Sequence, residues 1–165
     1  MAGPTRIPTR LDQERDQRMP WRGPWLVRCP RCDGCAHAEP ERARIFCPGC
    51  SLVRAGRIAL APDGHVCQTT GPDGRWRRER AATPAPAPRT IEHPLWLRDD
   101  DAASGGRTLW AVNATHLRHL ERSATRPPQS VQRSQPGVPS WLTAKEHRVE
   151  VLAALARLRD RLAAR

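Results

Sequence analysis

Two cysteine pairs with two-residue gaps, Cys29-Pro-Arg-Cys32 and Cys47-Pro-Gly-Cys50, constrain this chain more than any other feature in it. A two-residue gap lets one tight turn aim two sulfurs at a single ion, and zinc takes four thiolate or imidazole ligands in a tetrahedron. The stretch between Cys32 and Cys47 is long enough for a hairpin that brings the pairs together. The spacing therefore predicts a structural zinc site with Cys29, Cys32, Cys47 and Cys50 as ligands. An iron–sulfur cluster or a redox pair is the alternative use of close cysteines. Cys32-Asp-Gly-Cys35 has the same gap, but proline follows the first cysteine in both chosen pairs, and Asp33-Gly34 supplies left-handed turn geometry after Cys32. Of the six cysteines, Cys35 and Cys67 are left over. With His37 and His65 they would make a second site only through one-residue gaps, a poor ligand spacing, so the expectation is two small, partly buried thiols.

The chain has 165 residues, with 17 prolines, 11 glycines and 4% aromatic residues. That composition favours two small modules over one large core, and a small module buries too little apolar surface to fold comfortably without a cross-link. Residues 1–20 read as a flexible arm, 21–80 as a cysteine-bearing β-module, 81–92 as a Pro/Ala-rich linker, and 93–165 as a Trp-containing, mainly helical module: an α+β protein. No apolar run approaches the ~20 residues of a bilayer span. The N-terminus lacks the apolar core of a secretory signal, which points to the cytoplasm, where reduced thiols favour metal over disulfide.

Short apolar stretches at 25–28 and 44–46 lead into Cys29 and Cys47 and read as strands. Strands at 57–60, 65–70 and 75–78 are separated by Pro-Asp-Gly turns ending at Gly64 and Gly74, which suggests a small meander. Residues 108–112 form a further candidate strand, and Asp99, Asp100 and Asp101 read as part of a solvated loop. Asn113 is placed to cap a helix carrying Leu117 and Leu120. His116 and His119 on that helix have metal-ligand spacing, although solvated surface histidines are the commoner outcome. A final helix is expected from Thr143, with Thr143 and Glu146 as a capping box and Val151, Leu155, Leu158 and Leu162 as an apolar stripe widened by Leu152.

The formal net charge is +11, which suits an anionic partner. Nearly all of it is arginine, as the base composition of a GC-rich genome would also produce. A phosphate-cradling glycine loop, a nucleophile elbow and a convincing acid–base pair are all missing from the sequence, and four thiolates leave zinc no open position for catalysis. A non-enzyme that acts by binding is expected.

The segment from Trp25 to about Arg78 resembles the zinc ribbon of TFIIB-type transcription factors and many bacterial proteins, whose small three-stranded sheets mostly hold nucleic acid or protein. The second half is similar to the tail of an uncharacterised bacterial family of TFIIB-type zinc-ribbon proteins, through Pro94-Leu-Trp-Leu97, the run from Leu109 to Glu121 and the run from Pro139 to Val151. That family commonly carries another cysteine pair between its Trp motifs, whereas residues 99–106 contain none here, so the resemblance implies that this chain lacks a metal or redox feature of its relatives. Two functions follow. In the first, Arg75, Arg77, Arg78 and Arg80 hold the backbone of single-stranded DNA or RNA while Trp76 stacks on a base. In the second, the final helix docks a protein partner and the zinc ribbon is purely structural.

Overall fold

The computed structural model describes residues 21–70, 89–126 and 138–165. Strands β1 (Trp25–Arg28), β2 (Cys35–Glu39), β3 (Arg44–Phe46) and β4 (Val53–Ala55) form one antiparallel sheet in sequential order. Alternation decides its faces. Ala36, Ala38 and Ile45 point into a core that also holds Trp21, Trp25, Val27, Leu60, Val66 and Val112, while His37, Arg44 and Phe46 stand half-exposed on the opposite face.

A second antiparallel sheet contains β5 (Arg57–Leu60), β6 (His65–Thr70) and β7 (Arg89–Pro94), with β6 in the middle. The Pro-Asp-Gly turn between β5 and β6 forms as expected, closed by Gly64 N–H donating to Ala61 O at 3.1 Å. Gly64 has φ +79°, and a Cβ built there would lie 2.5 Å from Trp110 Cδ1. The anticipated strand at 75–78 and the turn at 71–74 lie outside the described residues. The partner of β6 on its other edge is β7, which corrects the linker boundary: residues 89–92, assigned to the linker by composition, pair in register from Thr70↔Arg89 to Cys67↔Glu92. Composition misled because the prolines stop at Pro88, and Pro94 stands last in the strand, where a missing N–H is tolerated.

Strands β8 (Leu97–Ala103) and β9 (Arg107–Ala111) make a hairpin. The solvated acidic loop expected at Asp99, Asp100 and Asp101 is therefore strand, with a register irregularity between Asp99 and Ala103. Arginine accounts for the difference: Arg157 Nε donates to Asp99 at 2.7 Å and Arg98 Nε to Asp100 at 2.8 Å, so the carboxylates do not force the chain open.

Helix α1 (Ala114–Thr125) starts where Asn113 was expected to cap it, the Asn113 side chain accepting from His116 N–H at 3.0 Å. Helix α2 (Arg148–Ala163) starts later than the sequence suggested. Two short 3₁₀ turns, Ser140–Thr143 and Lys145–His147, precede it, and Thr143 Oγ1 donates to Ser140 O at 3.2 Å, so no capping box forms. Val151, Leu155 and Leu158 are buried with Leu97, Leu109, Leu117, Leu120 and Leu142 in a second core, each such side chain contributing about 1.5–3 kcal/mol.

The two halves are not separate bodies on a tether. Leu26 N–H donates to Val112 O at 2.7 Å, Trp96 N–H donates to Leu26 O at 2.9 Å, and Val27 bridges Leu95. Leu26 itself belongs to the second core, whereas its neighbours Trp25 and Val27 belong to the first. Among the described residues no helix is long and apolar enough to cross a membrane.

Candidate metal centre

Cys29 follows β1 and Cys47 follows β3, two strands that flank β2 and run the same way, so one end of the sheet presents both turns. In the first turn Asp33 N–H donates to Cys29 O at 3.0 Å and Cys29 N–H to Gly34 O at 2.8 Å. In the second, Cys47 N–H donates to Leu52 O at 2.9 Å. The residue after each second cysteine is left-handed, Asp33 at φ 61° and Ser51 at φ 57°. That reversal lets the chain leave the site at once, and short polar side chains tolerate it better than branched ones.

Cys29 Sγ lies 3.6 Å from Cys50 Sγ, Cys32 Sγ lies 3.6 Å from Cys47 Sγ, and all four sulfurs fall within 4.8 Å of one another. Four sulfurs held ~2.3 Å from a zinc ion stand ~3.8 Å apart, so the cluster has the dimensions the ion requires. Cys29 and Cys47 are buried and Cys32 is exposed. The backbone supplies an outer layer of support, Arg31 N–H reaching Cys29 Sγ at 3.4 Å. Burial opposes ionisation of Cys29, yet the N–H groups of Arg31 and Cys32 and the neighbouring thiols hold its pKa down at about 7. At Cys32 the Gly34 N–H favours the thiolate, but crowding by Cys47 and Cys50 outweighs it and pushes the pKa up to about 12. Four cysteine sulfurs at these distances could hold a metal ion between them.

The remaining cysteines take no part. Cys35 is half-buried against the second core and Cys67 is buried in β6, and burial pushes both thiols up. His37 stacks on Phe46, and His65 Nδ1 sits 2.7 Å from Arg98 and 3.2 Å from Asp63. Among the described residues the quartet of Cys29, Cys32, Cys47 and Cys50 is the one group of potential ligands.

His116 and His119 are not solvated surface histidines. His116 is fully buried, its ring 4.4 Å from that of Trp21, and its Nδ1 accepts from Val112 N–H at 3.3 Å. His119 lies 4.5 Å from the same indole. Spacing along α1 could not reveal this, because the covering ring comes from far away in the chain.

Arg75, Trp76, Arg77, Arg78 and Arg80 lie outside the described residues. A cluster the sequence reading passed over stands on the open face of the first sheet. His37 and Phe46 pair across β2 and β3 with rings 4.9 Å apart, the Arg44 guanidinium lies 5.4 Å from the Phe46 centroid, and Val53 opposite Phe46 is 66% exposed. The only signal for it was alternation: Arg44 and Phe46 flank the buried Ile45, which puts both on the opposite face. Arg165, two residues past the end of α2, lies close enough to His37 to help burial lower its pKa.

No family model, no curated protein and no solved structure matches the chain.

Proposed function

We propose that this chain is a zinc-stabilised nucleic-acid-binding protein that acts by binding rather than catalysis. Cys29, Cys32, Cys47 and Cys50 would hold the zinc, which fixes the ends of β1 and β3 and so the sheet between them. The observation that carries the nucleic-acid reading is the ring-and-guanidinium cluster of His37, Arg44 and Phe46 on the open sheet face. Sequence-tolerant single-strand binders combine aromatic surfaces for bases with cations for phosphates. Glu39 pairs with both Arg42 and Arg44, which leaves this patch net positive, and Arg165 adds to it. The chain's charge of +11 and its resemblance to TFIIB-type zinc ribbons support the same reading. The arginines at 75, 77, 78 and 80, with Trp76, would extend the contact. Of the stripe on which the protein-docking reading rests, Val151, Leu155 and Leu158 are buried in the second core and Leu162 packs partly against it, whereas Leu152, which widens it, stays exposed.

The test is a salt titration of labelled single-stranded DNA and RNA binding to the zinc-loaded chain. Affinity should fall by ~0.7 log unit per log unit of salt for each phosphate contacted. Phe46→Ala should weaken binding by the ~1–3 kcal/mol typical of a lost stacking contact, with zinc content and circular dichroism unchanged. A folded, zinc-loaded protein with no affinity at low salt ends this reading.

A further inference from the structure

A groove of about 620 Å³ runs between α1 and α2 on the side of the molecule that the zinc-site reading leaves without a role. Its floor includes Leu152 and Ala156, and its walls carry Arg118, Glu121, Arg122 and Arg159. Leu152 is 38% exposed, and Val149, one turn before it on α2 and outside the groove lining, is more exposed still. Large apolar side chains in water on adjacent turns of one helix are a feature of docking faces.

The charges are unbalanced. Arg159 faces Glu121 across the groove at 3.7 Å, whereas Arg118 and Arg122 have no acidic partner among the described residues. Both lie on α1 four residues apart, an arrangement in which like charges oppose helix formation. The positive field there is felt by His119, whose pKa is lowered by burial and then by Arg122 and Arg126.

We infer that this groove binds an acidic amphipathic helix of a partner protein, its apolar stripe on Leu152 and Ala156 and its carboxylates against Arg118 and Arg122. The trough between two packed helices accepts a third helix by the same ridge-and-groove fit. Nucleic acid suits it less well, because no aromatic ring lines the groove to receive a base, and an apolar floor offers nothing to a phosphodiester. A second copy of this chain suits it less well too, since α2 carries Arg157, Arg159 and Arg161 on its exposed side.

The experiment titrates the full zinc-loaded chain into two labelled synthetic peptides of equal composition. One is an acidic helix with leucines at i, i+3, i+4 and i+7 flanked by glutamates, and the other is its scrambled sequence. The ordered peptide should bind at least about tenfold more tightly. Arg118→Glu with Arg122→Glu should remove about tenfold or more of that affinity, as should Leu152→Glu alone, with melting temperature, zinc content and oligonucleotide affinity unchanged. Equal binding of both peptides, or binding of neither, overturns the inference. So does loss of oligonucleotide binding in the double variant, which would make the groove a nucleic-acid site. A concentration-dependent dimer of the wild type that the same variants dissolve would assign the groove to a second copy and overturn it as well.

Discussion

Replacing Gly64 with alanine tests the packing of the β5–β6 turn against Trp110 of β9 at a single atom. Two costs are expected. The backbone there sits at φ +79°, and left-handed geometry costs an alanine roughly 1–2 kcal/mol. The new Cβ would also stand 2.5 Å from Trp110 Cδ1 and 2.7 Å from Cγ. No side chain tolerates that approach, so the indole or the turn must move. Trp110 cannot retreat freely, because its edge faces His116 at 5.8 Å and that imidazole is stacked on Trp21. Forced repacking of this kind costs about 1–3 kcal/mol. Gly105→Ala separates the terms, since Gly105 has φ +90° but nothing within 4 Å of its built Cβ. In zinc-replete buffer, thermal melts should show a loss of ~2–8 °C for Gly105→Ala and roughly two to three times that for Gly64→Ala. Tryptophan fluorescence should change only in the latter. Equal losses would refute the argument that Trp110 occupies the space of the missing side chain.

Three further outcomes are expected. Chelation, or Cys47→Ser, should abolish stoichiometric zinc by elemental analysis and unfold the chain as a whole, since a structural zinc contributes about 10–16 kcal/mol against a total domain stability of ~5–15; a metal-free chain with an unaltered melt would remove the zinc reading. Asn113→Ala should cost about 1 kcal/mol in urea unfolding by leaving the His116 N–H without its acceptor, and a neutral substitution would mean that the cap contributes nothing. Burial, with Arg122 and Arg126, lowers the pKa of His119 below its usual 6.5, so its stabilising contribution is complete above that value and is lost as the pH falls; His119→Gln should therefore flatten the acid side of the stability–pH curve, whereas an unchanged curve would show that the imidazole titrates freely.

The cysteine quartet was legible because ligand spacing is a local property, and the Gly64 turn and the Asn113 cap were legible for the same reason. What the sequence hid depends on distant chain. Asp99 looks like a loop residue until Arg157, from the final helix, is seen beside it. His116 looks exposed until Trp21, more than ninety positions earlier, lies over it. The strand at Arg89–Pro94 was masked by the proline run before it, and its role became visible only through its pairing with β6. The late start of α2 has a local cause that propensity did not weigh, because Thr143 turns its hydroxyl back to Ser140.

The double membership of β1 has a consequence during synthesis. Its inner edge pairs with β2, which leaves the ribosome almost immediately afterwards, but its outer edge is completed by Val112, Leu95 and Trp96. At ~5–20 residues per second, Val112 follows Leu26 by roughly 4–17 s. For most of that interval, from Cys50 onward, all four cysteines have been made while one side of β1 is still an open strand edge, the kind of surface on which nascent chains mispair. An intermediate with all four cysteines made but one edge of β1 uncovered is therefore built into the order of the sequence, and the protein's yield in a cell should respond to how fast the segment from Leu95 to Val112 is delivered.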